Sequence, residues 1–236
     1  MNVPNQALRY ILLQRTQYSL TEKYLLPNIK VHSVLPPGIF KLIIAAEARL
    51  RKNAIKQLFE SDMQSEYDVI RPHLPVDARA ILDIGSGIGG IDLLLYNHYT
   101  KKPHIYLLDK STETPGLYYG FETEASYYNS LSLATEFLIK NNVAPEHIHT
   151  EEATDSKTIA FETQFDLILS LLSWGFHYPV ETYLEIAHTK LAPQGVLILD
   201  IRKGRGAEEK IRARFGNLTV IAETHKTAKI KAVKLA

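Results

Sequence analysis

From residue 79 to the end of the chain, short runs of consecutive apolar residues alternate with stretches in which apolar residues recur every three or four positions. The first pattern marks a strand buried on both faces, the second an amphipathic helix. It predicts strands at 80–84, 105–108, 147–150, 165–172 and 196–201, and helices at 91–98, 126–141, 182–191 and 208–215. Such alternation predicts a parallel sheet with helices on both faces. Two final β-rich runs, 218–223 and 228–235, are only a few residues apart. A parallel crossover needs about a dozen residues or more, so these two runs must be antiparallel. The expected fold class is therefore α/β, a seven-stranded, mostly parallel sheet ending in an antiparallel hairpin.

The first third of the chain has no strand pattern. A short helix is predicted over 7–13. A longer one is predicted over 38–59, where Ile39, Leu42, Ile43, Ala46, Leu50, Ile55 and Leu58 stand at helical spacing. Pro36-Pro37-Gly38 punctuates the join between them. A further short helix over 62–73 is stopped by Pro72 and Pro75. The expected organisation is a helical extension or lid at 1–75 and an α/β core at 76–236, with the extension available to cover a site or form a homodimer interface.

The most informative stretch is Ile81-Leu82-Asp83-Ile84-Gly85-Ser86-Gly87-Ile88-Gly89-Gly90-Ile91-Asp92. An apolar strand enters a glycine-rich turn and a helix follows. Glycines allow the sharp turn and the close approach of a ligand, and the helix start offers free N–H groups. Gly85, Gly87 and Gly90 satisfy G-x-G-x-x-G, while Gly85, Gly87 and Gly89 satisfy G-x-G-x-G. Asp83, two residues before the first glycine, separates the two. A carboxylate there would sit beside the pyrophosphate of a dinucleotide and repel it, whereas it suits a cofactor carrying a sulfonium and an ammonium group.

The form D-x-G-x-G-x-G resembles motif I of the class I S-adenosylmethionine-dependent methyltransferases, which have a Rossmann-like fold ending in an antiparallel hairpin. The resemblance covers roughly residues 78–236 and implies S-adenosylmethionine as cofactor. It implies that Asp109, ending the second strand, accepts hydrogen bonds from the ribose hydroxyls. An acidic residue after the third strand would hold the adenine amino group; Glu152, paired with Ala153, fits best, and Asp155 is the alternative. Ser170, at the end of the fourth strand, would lie beside the methionine part. The implied cofactor-binding set is Asp83, Gly85, Ser86, Gly87, Gly89, Asp109, Lys110, Glu152, Ala153 and Ser170.

The loop after the fourth strand, Ser173-Trp174-Gly175-Phe176-His177-Tyr178-Pro179, holds the chain's only tryptophan. Methyl transfer is an in-line displacement that needs alignment, exclusion of water and, for a hydroxyl nucleophile, removal of a proton. His177 is the candidate general base. Trp174 and Tyr178 are candidate substrate walls. At the end of the fifth strand, Asp200, Arg202 and Lys203 are placed to reach a substrate, and Arg202, Lys203 and Arg205 together could bind a phosphate or carboxylate. The segment Thr112–Ala125, with Tyr118, Tyr119 and Phe121, is a candidate lid. The same loop excludes some chemistries. Amino-methylating DNA enzymes carry an Asn/Asp-Pro-Pro-Tyr-type motif where this chain has Ser170-Leu171-Leu172-Ser173. Catechol-type enzymes need clustered acids for a metal; only Asp166 is near, at the wrong end of its strand, so no metal is expected.

Composition narrows the rest. The 236 residues suffice for one sizeable α/β domain. The absence of cysteine removes thiolate metal sites, disulfides and a cysteine nucleophile, and with the last cytosine C5 methylation. A net charge of +1 creates no field that would draw the chain to nucleic acid or an anionic membrane. The N-terminus lacks the apolar core of a signal peptide, and Ile39–Ala46 is too short to span a bilayer, so a cytoplasmic protein is expected. The expected activity is methyl transfer to a hydroxyl of a small polar molecule. A weak likeness of the 173–179 loop to sugar O-methyltransferases makes a sugar the leading acceptor. The alternatives are an RNA or protein methyltransferase, favoured by the lysine-rich C-terminal run, a catalytically silent cofactor-binding subunit, and a nicotinamide-dependent oxidoreductase.

Overall fold

The computed structural model describes residues 1–21, 36–111 and 129–235. Seven strands form one sheet: β1 Ala80–Ile84, β2 His104–Asp109, β3 Ile148–Glu152, β4 Phe165–Ser170, β5 Leu191–Arg202, β6 Thr219–Glu223 and β7 Thr227–Val233. Their spatial order is β3-β2-β1-β4-β5-β7-β6. β1 to β5 pair in parallel, whereas β7 lies antiparallel between β5 and β6. The hairpin thus ends the sheet as the pattern predicts. Chain order reverses between β1 and β4, which opens a crevice at their carboxyl ends, where open α/β sheets bind ligands.

The helices among the described residues are α1 Leu8–Gln14, α2 Pro37–Leu50, α3 Lys52–Ile70, α4 Gly90–His98, α5 Leu131–Lys140, α6 Leu184–Lys190 and α7 Ala207–Phe215. Alternating strand residues feed two cores. Ile81, Ile105, Leu107, Leu167 and Leu169 pack with Ile11, Phe59, Met63, Leu95 and Phe137 of the helices on one face. Leu82, Ile84, Ile168, Leu197 and Leu199 pack with Leu184, Ile211 and Phe215 on the other. Strands buried on both faces are apolar along most of their length, which is why they appear in the sequence as near-continuous apolar runs.

The N-terminal helices differ from their sequence pattern. The break falls at Arg51, not near residue 60, and α3 runs without interruption through 62–70. The Arg51 guanidinium donates to the Tyr18 carbonyl and pairs with Glu47, so a tertiary contact holds the break. The packed face of α2 carries Phe40, Ile44 and Ala48, while Ile39, Leu42 and Leu50 of the apolar stripe are exposed. Tyr118, Tyr119, Phe121 and the rest of the candidate lid lie outside the described residues, as do residues 126–128 of the helix expected at 126–141. None of the described helices is long and apolar enough to cross a membrane.

Candidate active site

β1 delivers its carboxyl end to the middle of the sheet, and the glycine turn follows. The Gly85 N–H donates to the Leu108 carbonyl at 2.7 Å, which joins the start of the turn to β2. Gly85 adopts φ +79°, and a Cβ there would come within 2.0 Å of Ser173 Oγ, so the turn and the loop after β4 touch at this point. Gly87, at φ +57°, has the side chain of Gln14 over it, with Oε1 only 2.9 Å from where a Cβ would be. The C-terminal end of α1 therefore lies directly on the glycine turn. Only glycine combines this backbone conformation with so close an approach.

Three carboxyl groups surround the turn. Asp83, at the end of β1, is 2% exposed and Asp92, on the first turn of α4, is fully buried. Asp83 Oδ1 and both oxygens of Asp92 have no hydrogen-bond donor among the described residues. Burial first, then the facing carboxylates of Asp92 and Asp109, hold the Asp83 carboxyl well above the usual range. Burial raises Asp92 to about 7. The third, Asp109, closes β2. Its Oδ2 accepts from the Gly87 N–H at 2.8 Å and from Asn129 Nδ2 at 2.8 Å, and its Oδ1 from the Lys110 N–H at 2.7 Å. Burial outweighs these bonds and raises Asp109 to about 6. Three of roughly four carboxylate acceptor directions are used, leaving one for a hydroxyl in the crevice. The hydroxyl of Ser86, 8% exposed, is also without a partner among the described residues.

The residues after β3 lie beside Asp109 because the two strands pair in register, Asp109 opposite Glu152. Glu152 is exposed, and its Oε2 accepts from the Ser111 N–H at 2.8 Å. Ala153 N–H donates to the Asp109 carbonyl at 2.8 Å, and the Lys110 ammonium reaches Asp155 at 3.3 Å.

On the other side of the crevice, Ser170 is fully buried. Its hydroxyl donates to the Ile84 carbonyl at 2.5 Å and accepts from the Trp174 N–H at 2.9 Å, so it clamps β4, β1 and the following loop together. The Trp174 ring, 0% exposed, packs against Tyr183, and its indole N–H donates to the Val180 carbonyl at 2.7 Å. Trp174 thus anchors the loop in the core and does not line the crevice. His177 is half-buried, its N–H bonded to the Ser173 carbonyl at 2.8 Å and its ring edge-on to Phe176. Tyr178 is also half-buried, and its ring lies edge-on to that of Tyr183. The Arg202 guanidinium stacks over Phe176 at 4.6 Å, and its Nε donates to the Phe176 carbonyl at 2.7 Å. Asp200 is turned inward onto Lys229 and does not reach a substrate. Lys203 pairs with Glu223. Asp166 accepts from the Arg79 and Ala80 N–H groups at the far end of the sheet. No group of three or more metal-ligating side chains occurs among the described residues.

Asn129, Gln14 and Asp92 lie at the turn or against Asp109, and the sequence pattern did not single them out. Asp92 stood inside the quoted motif, where an acid in a first helical turn has an ordinary reading. The other two carry no local signal.

The fold recurs among solved structures. A methyltransferase of Pyrococcus furiosus superposes with a TM-score of 0.51 at 16% identity, covering 74% of this chain and 83% of its own. A candidate O-methyltransferase of Nostoc punctiforme superposes at 0.56 and 15% identity, covering 97% of this chain and 72% of its own. YcgJ of Bacillus subtilis matches at 0.50 and 11% identity, over 72% of this chain and 97% of its own. No family model matches the sequence, and no curated protein matches it. The chain has the Rossmann-like class I methyltransferase fold.

Proposed function

We propose that this protein is an S-adenosylmethionine-dependent methyltransferase that acts, without a metal ion, on a hydroxyl of a small polar molecule, a sugar being the leading acceptor. The observation that carries the cofactor assignment is the set of Asp83, Asp92 and Asp109 around the glycine turn. A buried acidic cluster with unsatisfied oxygens repels a pyrophosphate and attracts an ammonium or sulfonium cation. The residues present fit the cofactor. Asp83 and Ser86 supply orphaned polar atoms beside the turn, and Asp109 keeps an acceptor for a ribose hydroxyl. Glu152 and Ala153 would meet the adenine at the end of β3. When bound, the cofactor supplies an electrophilic methyl group on a positively charged sulfur.

The chain's own residues then position and deprotonate. The loop 171–179, anchored by Ser170 and Trp174, would present His177 toward the acceptor hydroxyl, whose proton an imidazole can take near neutral pH. Tyr178 and Arg202 would form the acceptor's walls. Gln14, lying over the glycine turn, supports a covering role for the N-terminal helices.

The test is transfer of a labelled methyl group from S-adenosylmethionine to a panel of sugars and sugar-containing metabolites by the purified chain. Transfer that is lost in His177→Ala while S-adenosylhomocysteine still binds supports the proposal. Transfer only to RNA or protein would replace the acceptor class, and no transfer to any acceptor would favour a silent subunit.

A further inference from the structure

Behind the acceptor-side loop lies a buried ionic triad. Asp200 of β5 and Lys229 of β7 are direct cross-strand partners, 7% and 8% exposed. The Lys229 ammonium lies 2.6 Å from Asp200 Oδ1 and 3.0 Å from Glu66 Oε2 on α3. The second Asp200 oxygen accepts from the Leu172 N–H at 3.1 Å. Leu172 has φ +55°, a left-handed conformation that a γ-branched residue adopts only when its surroundings impose it. It lies two residues from the end of β4, where the loop turns toward Trp174. Farther along, Gly175 passes over the end of β5, and its carbonyl accepts from the Arg202 N–H.

These contacts join three elements to one strained backbone position. β5 supplies the acceptor for Leu172, β7 the ammonium that pairs with that acceptor in the interior, and α3 a second carboxylate on the same ammonium. α3 is itself tied to the glycine turn: one turn before Glu66, Asp62 pairs with Arg15 and accepts from Tyr18, just after the Gln14 that covers Gly87. A buried ion pair is a poor source of stability compared with apolar packing, so its placement under a strained loop calls for another account.

We propose that the Glu66–Lys229–Asp200 triad is a positioning device: Asp200 holds the acceptor-side loop in its left-handed entry at Leu172, Lys229 holds Asp200, and Glu66 ties both to the N-terminal helices. The helices α1–α3 are then part of the working site, fastened to both sides of the crevice. That the loop faces an acceptor rests on the proposed function; the positioning itself does not.

The single tryptophan, in this loop, makes the proposal measurable. Asp200→Asn leaves Lys229 and Glu66 as a balanced pair, so no unpaired charge remains buried. The expected result is red-shifted Trp174 emission and an acrylamide quenching constant raised by about threefold or more, with hydrogen exchange accelerated in peptides covering 171–179 and unchanged in β1 and β2. Glu66→Gln should leave the Trp174 signal as in the wild type and accelerate exchange in the second half of α3. If Asp200→Asn does not fold, the double variant Asp200→Ala/Lys229→Met, which removes the acceptor of the Leu172 N–H together with its counter-ion, carries the same test. Wild-type emission, quenching and exchange in the loop would overturn the proposal, and so would exchange that rises equally across the whole sheet. S-adenosylhomocysteine titrations of the same proteins separate the two readings. Failure of the wild type to bind it would sink the proposed function and leave the loop result standing.

Discussion

The carboxyl groups of Asp83 and Asp92 face each other inside the protein, one at the end of β1 and the other on the first turn of α4. No cation among the described residues contributes to either shift, so the pair is best satisfied by sharing a proton. Its folded pKa values lie above the unfolded value of 3.8, and Asp92 reaches about 7. The folded state then holds more protons than the unfolded state, so stability falls as pH rises from about 4 through 7. Asp92→Asn should remove much of this loss and raise the melting temperature at pH 8 by several degrees, corresponding to about 1–3 kcal/mol. Thermal unfolding between pH 5.5 and 8.5 checks it. An unchanged pH profile in the variant would show that the pair does not share a proton.

Asp109 is the second electrostatic centre. Asp109→Ala should weaken S-adenosylhomocysteine binding by about 10- to 100-fold, the loss expected for hydrogen bonds to a charged group. Asn129→Ala, which removes one of the donors that orient Asp109, should cost about 3- to 10-fold on the same basis. Calorimetric titration measures both. Equal affinity in wild type and Asp109→Ala would place the ribose elsewhere.

Gly87 tests the contact between the N-terminal helix and the turn. Gly87→Ala forces a Cβ to 2.9 Å from Gln14 Oε1 at a positive φ. It should cost about 1–2 kcal/mol of stability and lower cofactor affinity by about 10-fold or more. Gln14→Ala in the same chain should relieve the crowding but not the backbone strain, so the double variant should recover part of the stability. Recovery of all of it would show that strain at Gly87 is negligible.

His149, near the amino end of β3, acts in the opposite pH direction. His104 Nδ1 lies 3.0 Å from His149 Nε2, and the His147 ring is 4.5 Å from that of His104. Burial, then His104 and His147, lower the pKa of His149 below 6.5. The unfolded state then takes up protons first, so this contribution is complete above about pH 6.5 and is lost as pH falls. His149→Gln should flatten the decline in melting temperature below pH 6.5. An unaltered decline would assign it to other groups.

Most of the α/β half was legible in the sequence because its signals are local. β1 is apolar except for Asp83 since both of its faces are buried, and the hairpin is forced by a connection too short for a crossover. The N-terminal helices were less legible. Their break is held by Arg51 reaching the Tyr18 carbonyl, a contact across 33 positions. Trp174 and Asp200 show the same limit at the site. An aromatic residue in a loop and an acid at a strand end look alike whether they face the crevice or the core, and here both turn inward onto Val180 and Lys229.

The measurement that tests the central claim most directly is a pair of calorimetric titrations of the purified chain, one with S-adenosylhomocysteine and one with NAD. The acidic cluster at the glycine turn predicts saturable one-to-one binding of S-adenosylhomocysteine with a Kd on the order of micromolar, near −8 kcal/mol, and no binding of NAD. Binding of NAD with no heat from S-adenosylhomocysteine would contradict it.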